Sequence, residues 1–133
     1  MQSHLFVYGS LLSAAKHPNG ARLRSESLLI GPATIAGRLY RVSWYPALRP
    51  AVAANNRVHG EVYKLTDAAG TLAWLDEYEG ITQGPGSGAA ADEYARAEQL
   101  VVLASGATLT VWVYLYQRMV PEAGWIADGL WRG

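Results

Sequence analysis

The run Thr108–Tyr116 restricts the fold of this chain more than any other segment. Its sequence, TLTVWVYLY, alternates strictly, with leucine and valine on one face and threonine, tryptophan and tyrosine on the other. Because both faces carry large side chains, we expect the strand to be covered on both sides or to close a barrel. Further strands are predicted over residues 4–8, 35–42, 57–65 and 99–103, where β-prone runs end at turn residues.

Two helices are predicted beside these strands. The first covers residues 21–29. The second covers residues 67–79, with an N-cap oxygen from Thr66 and with Gly80 as the left-handed residue after its end. Several strands with few helices indicate the α+β class, and we predict a small mixed β-barrel with flanking helices.

Length and charge exclude several classes of protein. A chain of 133 residues with 50% hydrophobic side chains fits one domain, predicted to span residues 1–133. Eleven Lys and Arg balance eleven Asp and Glu, so the chain lacks the basic excess that nucleic-acid binding requires. We therefore expect no nucleic-acid partner.

Residue types also limit the chemistry and the location. The chain has no cysteine, its three histidines are isolated, and it has no nucleotide-binding glycine motif, so we expect no metal and no cofactor. No apolar run approaches the roughly 20 residues of a membrane helix, and the N-terminus does not resemble a secretion signal. The prediction is a cytoplasmic protein without membrane contact, as a monomer or a homodimer.

The helix over residues 67–79 carries the most informative residue, Glu79. On a helical wheel, Glu79 lies on the apolar stripe with Leu72 and Leu75, whereas Glu77 points elsewhere. Burial and the negative end of the helix dipole both disfavour a charged carboxylate, which predicts a raised pKa and proton exchange near neutral pH.

Simpler interpretations of these acids remain open. Glu79 at a helix end can instead turn into solvent or pair with an arginine such as Arg96, and the wheel alone does not decide between this structural interpretation and the catalytic one. Asp76, on the flank of the same stripe, is interpreted as a solvated or capping residue. An acid–base pair of Asp76 and Glu79 is also conceivable, but their spacing is common by chance.

A second candidate element follows the first strand. The segment Val7-Tyr8-Gly9-Ser10-Leu11 opens a strand into a Gly-Ser turn, which can expose consecutive backbone N–H groups as an anion-binding nest. Taken alone, an ordinary turn explains the segment better.

Seven short motifs follow one another in order and at normal spacing over nearly the whole chain. They are Val7-Tyr8-Gly9-Ser10-Leu11, Gly37-x-Leu39-Tyr40, Tyr45-Pro46-Ala47, Val58-x-Gly60-Glu61-Val62-Tyr63, Leu75-Asp76-x-x-Glu79-Gly80, Tyr94-x-Arg96 and Val113-Tyr114-x-Tyr116. The combination is more specific than any single motif, and it resembles the gamma-glutamylcyclotransferase-like superfamily, within it the AIG2-like and gamma-glutamylamine cyclotransferase branch.

The resemblance implies a gamma-glutamylcyclotransferase-like barrel whose cavity holds a small gamma-glutamyl substrate. It assigns the acid–base role to Glu79 and binding of the α-carboxylate to the backbone N–H groups of Tyr8, Gly9, Ser10 and Leu11, with Tyr94 near the cavity. The implied reaction is attack of the substrate's α-amine on its own γ-carbonyl, which releases 5-oxoproline and an amine without a cofactor.

Two other functions remain open, and one segment departs from the family pattern. The main alternative is a non-catalytic small-molecule binding module on the same barrel. A further one is an interaction protein that uses the C-terminal aromatics Trp125 and Trp131. The stretch between Gly80 and Tyr94 is long and glycine-rich, and we expect residues 82–91 to order over bound substrate as a lid.

Overall fold

A computed structural model describes residues 2–42, 45–50, 56–81 and 93–132. The predicted lid over residues 82–91 therefore lies outside the described residues. Within them, neither helix is both long and apolar enough to cross a bilayer. Seven strands and two α-helices follow one another in these ranges: β1 His4–Val7, α1 Pro18–Ser25, β2 Ser27–Val42, β3 Tyr45–Pro50, β4 Arg57–Leu65, α2 Ala68–Tyr78, β5 Tyr94–Leu103, β6 Thr108–Tyr116 and β7 Trp125–Ile126.

Five of the strands close into a barrel in the order β2-β4-β1-β6-β5, and β5 pairs back onto β2 to complete the ring. The β1–β6 pair is parallel, with Leu5 opposite Trp112, and the other barrel pairs are antiparallel. Strands β3 and β7 pair with β2 outside the ring. The predicted small mixed β-barrel with flanking helices is confirmed.

Strand β6 is covered on both sides, as its alternation predicts. Val111 and Val113 belong to a buried cluster that draws side chains from all five barrel strands. Tyr114 and Tyr116 belong to a second cluster, which includes Leu23 of α1 and Leu72 and Leu75 of α2. One face of β6 therefore faces the barrel core, and the other packs beneath the helices.

Helix α2 carries the predicted stripe but begins at a different cap. Asp67, not Thr66, is the N-cap, because its Oδ1 accepts a hydrogen bond of 3.2 Å from the Gly70 N–H. At the other end Gly80 adopts φ 77° and donates to the Glu77 carbonyl, while the Ile81 N–H donates to the Asp76 carbonyl. This pair of bonds is a Schellman motif, which ends the helix at a fixed orientation.

The helix predicted over residues 21–29 is wrong at both ends. Helix α1 starts earlier, because Pro18 suits the first helical turn and the His17 Nδ1 accepts a hydrogen bond from the Asn19 N–H. It ends at Ser25, since residues 27–29 join β2 and pair with residues 65–63 of β4. Sheet pairing thus overrides the local helical preference.

The C-terminal segment docks onto the barrel. Trp125 lies in β7 opposite Tyr40, and the Gly129 carbonyl accepts a hydrogen bond from the His59 N–H. Trp131 lies under the Arg41 guanidinium, whose central carbon is 4.3 Å from the ring centroid. Both tryptophans therefore contact the chain itself.

Candidate active site

A cavity of about 470 Å³ lies between the turn after β1, the C-terminal end of α2 and the start of β5. Such a volume suits a small molecule. All six residues singled out from the sequence line it: Tyr8, Gly9, Ser10, Leu11, Glu79 and Tyr94.

Glu79 is the half-buried C-cap residue of α2. Its pKa is raised to about 7, mainly because burial removes the carboxylate from water, and further because Asp76 and Glu93 are like charges. In the described part of the chain no group donates a hydrogen bond to this carboxylate, and Arg96 pairs elsewhere. Tyr8, Tyr94 and Tyr114 line the same cavity as Glu79, and its charge raises the pKa of each of these tyrosines.

The turn after β1 presents backbone donors to the same cavity. The Leu12 N–H donates to the Gly9 carbonyl at 3.0 Å, which closes the turn. The N–H groups of Ser10 and Leu11 donate to no residue that the structure describes. Two neighbouring amides without a partner at a cavity wall are suited to an anionic oxygen.

This turn is fastened to the rest of the molecule on both sides. Glu61 of β4 accepts hydrogen bonds from the Ser13 N–H at 2.9 Å and from the Ser13 hydroxyl at 2.6 Å. Tyr63 also donates to Glu61. On the other side the hydroxyls of Ser10 and Tyr78 share a hydrogen bond of 2.9 Å, which joins the turn to the last residue of α2.

The hydroxyls of Tyr8 and Tyr94 are already engaged by backbone carbonyls. Tyr8 donates to the Tyr114 carbonyl at 2.6 Å, and Tyr94 donates to the Pro46 carbonyl at 2.5 Å. These bonds fix the orientation of both rings. The two side chains therefore serve as walls of the cavity rather than as free donors.

Asp76 is neither solvated nor capping, contrary to its interpretation from the sequence. Its carboxylate accepts two hydrogen bonds from Arg96, at 2.8 and 3.0 Å, and one from the Tyr114 hydroxyl at 2.7 Å. Arg96 is only 7% exposed and also lies over the Trp112 ring. Arg96, the partner considered for Glu79 in the alternative interpretation, thus pairs with Asp76, while Glu79 lines the cavity.

Comparison with known proteins agrees with this arrangement. A family model described as gamma-glutamyl cyclotransferase, AIG2-like, matches residues 5–133. The chain belongs to this family. The resemblance of its motifs is thereby confirmed.

Similar proteins of this family occur in enteric bacteria. The gamma-glutamylcyclotransferase family protein YtfP of Escherichia coli K12 is 37% identical over 129 residues, covering 96% of this chain and 94% of that protein. Its counterpart from Citrobacter rodentium is 38% identical over 128 residues, covering 96% and 93%.

Solved structures share the fold at lower identity. An AIG2-like protein from Mus musculus matches with a TM-score of 0.65 and 22% identity, and the match covers 91% of the present chain and 81% of the mouse chain. YkqA from Bacillus subtilis matches with a TM-score of 0.71 and 23% identity, over 98% of this chain and 40% of that chain. Both support the barrel architecture.

Several cavity residues were not identified from the sequence, among them Glu93, Tyr45 and Trp131. The Tyr45 hydroxyl donates to Glu93 at 2.6 Å, and Arg118 lies 3.8 Å from the same carboxylate. No spacing along the chain links these residues, because the barrel brings them together from separate elements. Among the described residues, no cluster of three or more His, Asp or Glu is arranged to hold a metal ion.

Proposed function

We propose that this protein is a gamma-glutamyl cyclotransferase in which Glu79 is the general acid and base. In the proposed reaction the α-amine of a gamma-glutamyl substrate attacks its own γ-carbonyl carbon. A new C–N bond closes the five-membered ring of 5-oxoproline, and the bond to the outer nitrogen breaks. The observation that carries the proposal is the cavity-facing Glu79 carboxyl, whose pKa of about 7 suits proton exchange near neutral pH.

Glu79 would move two protons, one after the other, from the attacking nitrogen to the leaving nitrogen. The substrate's ammonium group must lose a proton before its nitrogen can attack, and the ionised Glu79 accepts that proton. The leaving nitrogen needs a proton before its bond to carbon breaks, and the protonated Glu79 supplies it. The ring nitrogen still carries one proton more than an amide N–H, and the ionised Glu79 accepts this proton and passes it to the released amine, which leaves as an ammonium ion. The carboxyl releases every proton that it accepts, so one group with a pKa near the working pH is sufficient.

The turn after β1 would hold the anionic end of the substrate. The N–H groups of Ser10 and Leu11 have no partner among the described residues and belong to residues that line the cavity, and they match a carboxylate oxygen in hydrogen-bonding type. The anchors of the turn on Glu61 and Tyr78 keep these donors in place without substrate. Such preorganised donors cost little reordering on binding.

Positioning would supply most of the remaining rate enhancement. Nucleophile and electrophile belong to one molecule, so the protein has to hold the folded-back conformer rather than provide its own nucleophile. Well-oriented intramolecular reactions reach effective molarities of about 10⁵–10⁸ M. The fixed rings of Tyr8 and Tyr94 provide rigid walls for that conformer.

The test measures release of 5-oxoproline from a panel of gamma-glutamyl amines, gamma-glutamyl dipeptides and glutathione. Glu79→Gln keeps the shape of the side chain and removes the titrating proton, and we expect kcat to fall at least about 100-fold. Glu77→Gln is the matched control, because Glu77 lies on the same helix and is exposed. Comparable kcat for wild type and Glu79→Gln would refute the assigned role.

The same panel separates catalysis from binding. Calorimetric titration of each compound into wild type reports affinity without turnover. A compound that binds wild type but releases no 5-oxoproline supports the alternative of a non-catalytic binding module on the same barrel. Turnover that depends on Glu79 excludes that alternative.

A further inference from the structure

We propose that the Asp76–Arg96 ion pair is a positioning element for the cyclisation, which fixes the last turn of α2 and holds the Asp76 carboxylate close to Glu79. Asp76 does not line the cavity and touches no substrate in this proposal. The inference rests on the proposed function, in which Glu79 moves the protons.

The contacts of Asp76 indicate a charged carboxylate rather than a neutral acid. Its two oxygens accept from the Nε and an Nη of Arg96, in the bidentate geometry typical of an ionised pair. The Tyr114 hydroxyl provides a third donor at 2.7 Å. The Asp76 side chain is only 15% exposed and that of Arg96 is 6% exposed, so water screens this pair weakly.

The ion pair also fixes the helix end that carries Glu79. Asp76 lies three residues before Glu79, so the two side chains share one face of α2. The Asp76 backbone carbonyl accepts the hydrogen bond from the Ile81 N–H that completes the end of the helix. Arg96 in β5 and Tyr114 in β6 therefore hold both the side chain and the local backbone next to Glu79.

Among the described residues, the titratable side chains that line the cavity with Glu79 include His17, Tyr45 and Tyr78, and further charged and titratable groups interact with it from four elements. Asp76 lies on its own helix, while Tyr8 follows β1, Glu93 and Tyr94 lie at the start of β5, and Tyr114 lies in β6. Burial raises the pKa of Tyr8, Tyr94 and Tyr114 further above their ordinary value, so they are neutral at the working pH.

Two like charges therefore act on Glu79, and they differ in their surroundings. Glu93 is 35% exposed on its side chain and lies 3.8 Å from Arg118. Asp76 is less exposed, and it adds to the effect of burial in raising the pKa of Glu79. We therefore expect Asp76 to act more strongly than Glu93 on the ionisation of Glu79.

The decisive variant is Asp76→Asn in the full chain. It removes the negative charge and leaves Arg96 as an uncompensated positive charge, and both changes favour an ionised Glu79. We expect the titration midpoint of Glu79 to fall by at least about half a pH unit. The probe is the carboxyl carbon resonance of Glu79 in glutamate-labelled protein, assigned by its loss in Glu79→Gln.

The kinetic readout follows the same direction. In Asp76→Asn the fall of kcat/KM at low pH should shift to lower pH together with the titration midpoint of Glu79. The ratio of kcat/KM at pH 6 to its plateau value should therefore be about threefold higher than in wild type. Asp76→Glu retains the charge and should return the midpoint to the wild-type value. If the ion pair only supports the fold, Asp76→Asn lowers activity equally at every pH and leaves the midpoint unchanged, which overturns the inference.

Two further variants keep the test decisive. Asp67→Asn is the matched control, because it removes a charge from the other end of the same helix, about 18 Å away along the axis, and Asn still caps the helix. It should leave the midpoint unchanged. If Asp76→Asn does not fold, Arg96→Gln is used in its place. This variant removes the positive charge of the pair, so we expect a higher titration midpoint for Glu79. An unchanged or lower midpoint contradicts the inference.

The two readouts separate this inference from the proposed function. If the resonance moves as expected but no gamma-glutamyl compound is turned over, the proposed function fails while the electrostatic link between Asp76 and Glu79 holds. If turnover depends on Glu79 but the resonance does not move in Asp76→Asn, the proposed function holds and this inference fails.

Discussion

At the scale of single residues, Glu79 combines an ionisable group with a place that opposes its ionisation. Burial is the main reason that its pKa rises to about 7, and the carboxylates of Asp76 and Glu93 add to it. The folded chain therefore holds a proton on Glu79 at pH values where the unfolded chain, with an ordinary pKa near 4.5, has released it. This stabilising contribution is complete below about pH 4.5 and is lost as the pH rises through about 7.

The raised pKa predicts that Glu79→Gln stabilises the protein at alkaline pH. Gln is neutral at every pH and therefore avoids the cost of a buried charge. We expect the free energy of unfolding of Glu79→Gln to exceed that of wild type by up to about 3 kcal/mol at pH 8, and by much less at pH 5. Urea unfolding at the two pH values measures the difference. Glu77→Gln should show no such pH dependence, and an equal gain for Glu79→Gln at both values would contradict the prediction.

At this scale the sequence correctly predicts those features that depend on residues close together along the chain. Because Glu79 shares its helix with Leu72 and Leu75, a wheel is sufficient to place it on the buried stripe, and both leucines are at most 4% exposed. The pairing of Asp76 with Arg96 is different, since the partners lie 20 residues apart on a helix and a strand. Only the tertiary arrangement shows that Arg96 forms its ion pair with Asp76 and not with Glu79.

At the scale of elements, the end of α2 decides where Glu79 points. Gly80 has φ 77°, a conformation that residues other than glycine adopt at a cost, and apart from its two chain neighbours no described residue has an atom within 4 Å of a Cβ at this position. A substitution there therefore reports backbone strain alone, without a steric clash.

We expect Gly80→Ala to lower the free energy of unfolding by about 1–2 kcal/mol, the cost of the left-handed conformation. Gly80→Asn should cost less, because Asn tolerates this region better. If Ala relieves its strain by unwinding the last turn, kcat also falls, since that turn positions Glu79. Urea unfolding and 5-oxoproline release measure both effects, and an equal loss in the two variants would argue against strain as the cause.

The strands that the sequence predicts best are uninterrupted β-prone runs bounded by turn residues. Strands β4 and β6 occupy the predicted residues, whereas the sequence does not predict β3. The reason is Pro46 and Pro50, which are typical of turns in a sequence but are tolerated in a strand that pairs on one side only. The boundary between α1 and β2 was wrong because pairing with β4 outweighs local preference at residues 27–29.

At the scale of the whole molecule, barrel closure and the candidate site depend on the same close approach. Strands β1 and β4 pair antiparallel with Val7 opposite Glu61, and the turn that carries Ser10 and Leu11 follows directly after β1. Gly60 allows this approach. A Cβ there would overlap the Val7 carbonyl oxygen and would lie 2.6 Å from the Phe6 ring.

Gly60→Ala should therefore damage stability and activity together. The overlap involves a backbone carbonyl, which no side-chain rotation relieves, so we expect the free energy of unfolding to fall by at least about 3 kcal/mol. Lys64→Ala is the control, because Lys64 is exposed on the same strand and its loss should change stability by no more than about 0.5 kcal/mol. In the folded fraction of Gly60→Ala, the displaced end of β1 should carry the Ser10 and Leu11 amides out of place and raise KM for a gamma-glutamyl substrate. A variant with wild-type stability, or one destabilised with an unchanged KM, would show that the site does not depend on this contact.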